Sequence, residues 1–290
     1  MRNLDEHTIT AEVLGLIGTK TDPRLRDILQ SAIRHLHELA REVNLTEAEW
    51  LAGIRFLTRT GQMSTDVRQE MVLLSDTLGL SQLVVAQSHR RPPAATEQTV
   101  LGPFHVEGAP VRISHGTMLG DLSPGSPLFV SARVTNVAGI PLAGAHVDVW
   151  HADGEGLYDV QKPEWELGRA QLRAVFCTDE QGCFSFRSVM PTHYAIPTDG
   201  TVGEMMRATH RSPMRPAHVH FRIVHPGFDP LVTHVFAADD PYLDTDCVFG
   251  VLSTCVGTFI RREPGVAPGG SVVSVPFHTL DYTFILHESL

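Results

Sequence analysis

Cysteine is scarce in this chain of 290 residues: four, at 177, 183, 247 and 255, with no CxxC pair among them. That is too little for the disulfide framework of a small secreted scaffold. Positive charge is short as well, 23 Lys and Arg against 33 Asp and Glu, a formal charge of −10. No basic face is offered to phosphates, which argues against a nucleic-acid binder. No stretch approaches the ~20 consecutive apolar residues of a membrane span. The start, Met1-Arg-Asn-Leu-Asp-Glu-His7, lacks a positively charged opening followed by an apolar core, so no signal peptide is expected. Together these absences predict a cytoplasmic protein with reduced thiols. Tyrosine is also rare, four in all, which makes each position informative.

What is present reads as an ordinary globular chain, 42% hydrophobic and 19% charged. Its length allows one or two domains with a sizeable core. Character changes near residue 95. Before it, Asp22-Pro23 opens a segment with Leu25, Ile28, Leu29, Ile33, Leu36 and Leu39 at helical spacing. Thr46-Glu-Ala-Glu49 has the form of a capping box leading into Trp50, Ile54 and Leu57, with Gly61 as a helix stop. A third helix is predicted from Ser64–Asp66 through Met71, Leu74 and Leu78 to Gly79, and a shorter one around Leu83–Ala86. The breaker-rich Arg90-Arg-Pro-Pro-Ala-Ala95 follows. Beyond it, runs rich in Val, Phe, Thr and Ile (127–136, 145–150, 184–187, 217–224, 231–237 and 271–275) are separated by Gly, Pro and Asp clusters. That pattern predicts a β-sandwich or barrel. The expected class is α+β, with a helical domain over 1–95 and a β domain over 96–290.

Sixteen histidines make any single one weak evidence. His218-Val-His220 stands out because a strand points both imidazoles to one face, where they can grip one metal ion. Alone, the pair reads equally as surface or hydrogen-bonded histidines. Tyr158 and Tyr194 lie upstream in turn-like runs, Gly-Glu-Gly-Leu-Tyr158 and Met-Pro-Thr-His-Tyr194. Each alone reads as a core or turn residue with its hydroxyl satisfied. As a set, two imidazoles and two phenolates are hard, anionic donors that favour ferric iron over zinc.

From Thr96 to about Gly250 the chain resembles the intradiol ring-cleaving dioxygenases. The matching runs are Thr96-Glu-Gln-Thr-Val-Leu-Gly-Pro-Phe-His105, Val147-Asp-Val-Trp-His-Ala-Asp-Gly-Glu-Gly-Leu-Tyr158, Pro191-Thr-His-Tyr-Ala-Ile-Pro197 and Arg215-Pro-Ala-His-Val-His-Phe221. Gaps of 36, 24 and 2 residues separate Tyr158, Tyr194, His218 and His220, an order similar to that family's Tyr, Tyr, His-x-His set. The resemblance implies a mixed-topology β-sandwich catalytic domain in which these four residues hold Fe(III). It implies that a small aromatic diol or triol chelates the metal and that Tyr194 takes up substrate protons. It also implies that Arg215 stabilises negative charge on the ring and that O2 is added between the two oxygenated carbons, giving a muconate. A guanidinium suits that role because it stays protonated and donates in a fixed fork. Read without the resemblance, Arg215 is a surface salt bridge.

Leu73-Leu-Ser-Asp76 resembles the pocket-lining helical segment of the members that cleave hydroxyquinol, 1,2,4-trihydroxybenzene. A carboxylate there could accept a hydrogen bond from the third hydroxyl, and leaving it unpaired costs about 1–3 kcal/mol. The expected reaction is then hydroxyquinol to 3-hydroxy-cis,cis-muconate (maleylacetate). Catechol or a chlorocatechol is the alternative substrate, and a non-catalytic β-sandwich binding module is the alternative of another class. Asp76 reads equally as a solvated helix-face residue. Val100, Leu101, Gly102, Pro103 and Phe104, with Ile196 and Pro197, would wall the ring, although Phe104 reads equally as core. His234 departs from the catechol-type members, which carry glutamine there. His151, His193, His210 and His225 match no role and read as structural or exposed. The implied partners are the aromatic substrate, O2 and a second copy joined through the N-terminal helices, with a phospholipid at that interface.

Overall fold

The computed structural model describes residues 3–65, 68–119, 123–163 and 165–289, and the chain divides into two compact units, Met1–Gln62 and Met63–Leu290. Helix α1 (Ile9–Gly15), unforeseen in the sequence, precedes α2 (Pro23–Glu42) and α3 (Glu47–Met63). Proline opens α2, and the Asp22 carboxylate accepts the Leu25 amide at 2.9 Å. The capping box before α3 forms as expected: Glu49 Oε2 accepts the Thr46 amide at 2.9 Å and Thr46 Oγ1 accepts the Glu49 amide at 3.3 Å. Gly61 does not stop this helix, which runs on to Met63. An interior glycine costs about 1 kcal/mol relative to alanine, which the rest of the helix can absorb. Leu25, Ile28, Leu29, Leu36 and Leu39 on α2, and Trp50, Ile54 and Leu57 on α3, remain 41–64% exposed.

The second unit begins with α4 (Glu70–Thr77) and α5 (Leu80–Ser88). α4 starts at Glu70 rather than at 64–66, and Asp66 lies outside the described residues. Gly79, at φ 74, separates the two helices as the expected stop. The strands are β1 (Gly116–Thr117), β2 (Pro127–Asn136), β3 (His146–His151), β4 (Arg173–Cys177), β5 (Cys183–Val189), β6 (Tyr194–Ala195) and β7 (Met214–Arg215). Then come β8 (His218–Val224), β9 (Leu231–Ala237), β10 (Val256–Gly257), β11 (Ile260–Arg262), β12 (Gly265–Val266), β13 (Val272–Val273) and β14 (Phe277–Leu286). Helix α6 (Thr201–Ala208), absent from the sequence reading, falls between β6 and β7.

Two five-stranded sheets, ordered β1-β5-β2-β14-β11 and β10-β9-β8-β3-β4, form the sandwich. Topology is mixed: β2 runs parallel to β14 but antiparallel to β5, while β8 is antiparallel to both neighbours. Alternation along each strand sorts residues between core and outer face. Val219, Phe221 and Ile223 of β8 join Val147 and Val149 of β3 in a core shared with Val130, Phe184, Phe186 and Phe284 of the other sheet. The even-numbered residues of β3, β8 and β9 therefore face outward. Among the described residues no helix is long and apolar enough to cross a membrane.

Candidate active site

The outer face of the second sheet carries the histidine pair. With residues 219 and 221 committed to the core, His218 and His220 emerge together on the opposite face. Register sets His220 between Trp150 on β3 and His234 on β9. The Trp150 ring stacks on the His220 imidazole with centroids 4.7 Å apart, fixing its plane. His218 Nδ1 donates to the Pro216 carbonyl at 2.6 Å, which leaves the Nε2 lone pair free to ligate.

The tyrosines arrive on two loops that approach closely. Gly156 has φ 84, and a Cβ there would come within 2.8 Å of Tyr194 Cβ, so glycine is what lets the loops meet. Pairing of β6 with β7 sets Tyr194 opposite Arg215. Tyr158 Oη lies 2.8 Å from His220 Nε2, 3.3 Å from His218 Nε2 and 3.4 Å from Tyr194 Oη, while the two Nε2 atoms are 3.1 Å apart. Four potential ligand atoms thus converge on one point.

Burial decides their charge. Desolvation, then the neighbouring Tyr194, pushes the Tyr158 phenol well above its ordinary value, and desolvation raises Tyr194 against the pull of Arg215. Desolvation, then Arg215, takes the His218 imidazole down to about 3, and desolvation holds His220 well below its usual range. Neutral imidazoles facing two desolvated phenols form a donor set that a single cation fits, its charge replacing the phenol protons. His234 stands beside this set, its ring centroid 4.2 Å from that of His220. With His218 and His220 it forms a group whose ligand atoms lie within 4.8 Å of one another. Its Nδ1 faces Thr99 Oγ1 at 2.5 Å.

Above the donors opens a cavity of ≈ 640 Å³. Its wall takes Leu73 and Asp76 from α4, Val100, Gly102, Pro103 and Phe104 from one loop, Tyr194, Ile196 and Pro197 from another, and Arg215 from β7. Leu101 is not on that wall and is 39% exposed. Phe104 covers the Tyr158 ring at 4.4 Å. Asp76 is buried, and desolvation raises its carboxyl above the ordinary value against a smaller pull from the Ser81 hydroxyl.

Several wall residues escaped the sequence reading: Arg68, Gln69, Glu70, His105, Val106, Val160, Gln161, Trp165 and Val248. Helical spacing back from Asp76 and Leu73 points to Glu70, a signal that was available. No such signal marks the charged pairs behind the wall. Arg215 is buried against Asp246, Nε to Oδ1 at 3.1 Å and Nη2 to Oδ2 at 3.3 Å. Arg173, equally buried, pairs with Asp159 and donates Nη1 to the Phe104 carbonyl at 3.0 Å. It thereby ties that wall to the residue following Tyr158. Among the histidines without a matched role, His151 is buried, His193 Nδ1 lies 3.2 Å from Asp240 Oδ2, and His225 Nε2 lies 3.1 Å from the Ala143 carbonyl oxygen.

Comparison with known proteins follows the same lines. A family profile described as Dioxygenase matches residues 100–287, and one described as Catechol dioxygenase N terminus matches residues 22–96. The chain is 47% identical over 290 residues to the 6-chlorohydroxyquinol 1,2-dioxygenase of Cupriavidus pinatubonensis, covering 100% of both chains. It is 42% identical to the hydroxyquinol 1,2-dioxygenase of Nocardioides simplex, covering 97% of this chain and 95% of that one. Among solved structures, hydroxyquinol 1,2-dioxygenase from Pseudomonas putida superposes with a TM-score of 0.90 at 44% identity, covering 98% of this chain and 99% of that chain.

Proposed function

The chain belongs to the intradiol ring-cleavage dioxygenase family, and from that premise we propose that its substrate is hydroxyquinol. The ring opens between the two adjacent hydroxylated carbons, and both atoms of O2 enter the product, 3-hydroxy-cis,cis-muconate, the enol of maleylacetate. The observation that carries the substrate is Asp76, a carboxyl only 6% exposed on the wall of the cavity that also holds Tyr194 and Arg215. Ser81 gives this carboxyl one hydroxyl partner; a carboxyl can take more than one, so a ring that brings a third hydroxyl supplies a further hydrogen bond that catechol cannot. The names of the relatives in Cupriavidus and Nocardioides support the same substrate class.

Tyr158, Tyr194, His218 and His220 would hold iron(III), which supplies a Lewis acid and a template for the two neighbouring oxygens. Tyr194 Oη takes a proton released by the diol. The Arg215 guanidinium, kept charged by Asp246 despite desolvation, stabilises negative charge on the ring. Leu73, Val100, Pro103, Phe104, Ile196 and Pro197 exclude water from the ring faces, and Asp76 accepts from the third hydroxyl. Residues 1–95 would serve as a helical dimerisation and linker domain and 96–290 as the catalytic domain, although α4 and α5 belong to the same compact unit as the sheets and α4 lends Leu73 and Asp76 to the cavity. The exposed apolar faces of α2 and α3 join two copies into a homodimer, and a phospholipid would lie along the same faces. Four free thiols suit the reducing cytoplasm as the place of action.

The test is a visible spectrum of iron-loaded protein titrated without oxygen, with hydroxyquinol and catechol in parallel. Tyrosinate-to-iron charge transfer makes the resting protein red-brown, and a chelating diol shifts the band to longer wavelength. Saturation at much lower hydroxyquinol concentration is expected. Tighter binding of catechol would move the assignment to that diol, and protein that stays colourless with iron would remove the ligand set.

A further inference from the structure

Arg68 and Glu70, both on the cavity wall, form a charged cluster with Asp199 that ring cleavage leaves unused. The Arg68 guanidinium donates to the two Asp199 oxygens at 2.8 and 2.9 Å and to Glu70 Oε2 at 3.0 and 3.2 Å. Glu70 is 1% exposed. Its other oxygen accepts the Val202 amide at 3.0 Å and the Thr201 hydroxyl at 3.3 Å, in the first turn of α6. One carboxylate therefore opens α4 and caps α6, and one guanidinium links it to the loop that follows Ile196 and Pro197. The approach requires glycine at 200, where a Cβ would overlap the Glu70 carboxylate and the Arg68 guanidinium.

α4 has eight residues, about two turns, too few to stand by itself in water. At its far end the Thr77 carbonyl accepts from Arg211 Nη1 at 2.7 Å. The helix is thus tied at both ends, and between the ties it carries Leu73 and Asp76 into the cavity.

We propose that Arg68 is a positioning residue for substrate discrimination: by clasping Glu70 and Asp199 together it fixes α4 against the Ile196–Pro197 wall and sets the reach of Asp76 to the ring's third hydroxyl. The inference rests on the assignment of Asp76 to that hydroxyl. Without the guanidinium the Glu70 carboxylate loses its cation, and the start of α4 loses its tie to the opposite wall. Hydroxyquinol, which depends on Asp76, is then held less well. Catechol, which makes no such contact, is held as before.

Steady-state kinetics on Arg68→Met, Arg68→Lys and Asp199→Asn, with both diols, decides the matter. Asp199 is not on the cavity wall, so its variant breaks the clasp without altering what substrate touches. Arg68→Met is expected to raise the KM for hydroxyquinol roughly 10-fold, the scale of one lost buried hydrogen bond. In Asp199→Asn, which alters nothing that lines the cavity, kcat and the KM for catechol are expected to change by less than about 2-fold. Asp199→Asn shifts the KM ratio in the same direction by less, and Arg68→Lys restores part of it because lysine engages the carboxylates without a fork. The charge-transfer band of the resting iron protein stays put in all three. Should Arg68→Met fail to fold, Asp199→Asn carries the test. An unchanged KM ratio in Asp199→Asn and in folded Arg68→Met, with wild type still preferring hydroxyquinol, removes the clasp alone. Wild type that prefers catechol removes the substrate assignment and the clasp's role with it.

Discussion

Arg215 can stay buried and charged because Asp246, 31 residues further on, meets it with both oxygens. Burial opposes the carboxylate's charge, but Arg215 and the Gly250 amide outweigh it and hold Asp246 below the ordinary carboxylate range. A lowered folded value means that the ionised form stabilises the fold above the unfolded value. That contribution is lost as pH falls below ~4 toward the folded value. Replacing Asp246 with asparagine leaves a buried guanidinium unpaired and is expected to cost about 3–5 kcal/mol at pH 7. Urea unfolding at several pH values should show the gap to wild type narrowing on acidification, and a gap independent of pH would detach the loss from the ion pair. The histidine pair was legible in the sequence because strand alternation alone sends both side chains one way. Asp246 was not, because its partner is distant in sequence and nothing local to residue 246 encodes the pairing. Leu101 shows the converse: a contiguous run was read as one wall, although the Leu101 side chain lies off it.

Strand elements with dense β-branched and aromatic residues were read within a residue or two, as with 127–136 and 231–237, which match β2 and β9. β4, only five residues long, and α6, an eight-residue helix with Gly203 inside it, were missed because so few residues carry little periodicity. β14 was missed despite its ten residues. Its alternation is broken toward its ends, by His278 on the inner face and by Phe277 and Ile285 on the outer one. His151 shows what the pairing of elements does to one side chain. At the end of β3 it enters the sandwich, where its Nε2 lies 2.6 Å from Ser188 Oγ on β5 and its Nδ1 2.7 Å from the Ala152 carbonyl oxygen. Desolvation pushes this imidazole down to about 4. The unfolded chain therefore takes the proton first, and the fold loses stability as pH falls from ~6.5 toward that value. His151→Gln removes this titration, so its stability should fall less steeply over that window, by up to about 1.4 kcal/mol per pH unit. Equal slopes would mean that other groups carry the acid lability.

For the molecule as a whole, the change from helix to strand near residue 95 was legible because the period of the apolar pattern itself changes. Sheet order was not, since β2 pairs in parallel with β14 across more than a hundred intervening residues, and no local signal records such a partner. The sequence also left open what covers the apolar faces of α2 and α3. Eight large apolar side chains there stay at least 41% exposed, more than a lone soluble chain ordinarily leaves in one region. A second copy burying them accounts for the pattern, because an amphipathic helix gains most of its stability from packing its apolar face. Wild-type protein should then sediment at about twice the 31.9 kDa of one chain. Ile28→Glu combined with Leu36→Glu places two carboxylates on that face, where burial against another apolar surface would strand them without partners. The double variant should sediment as a monomer while keeping the resting charge-transfer band, since neither residue is near the four proposed donors in sequence or lines the cavity. A wild type that sediments as one chain at micromolar concentration would leave the exposed faces to a lipid or another protein, and a double variant that remains dimeric would place the interface elsewhere.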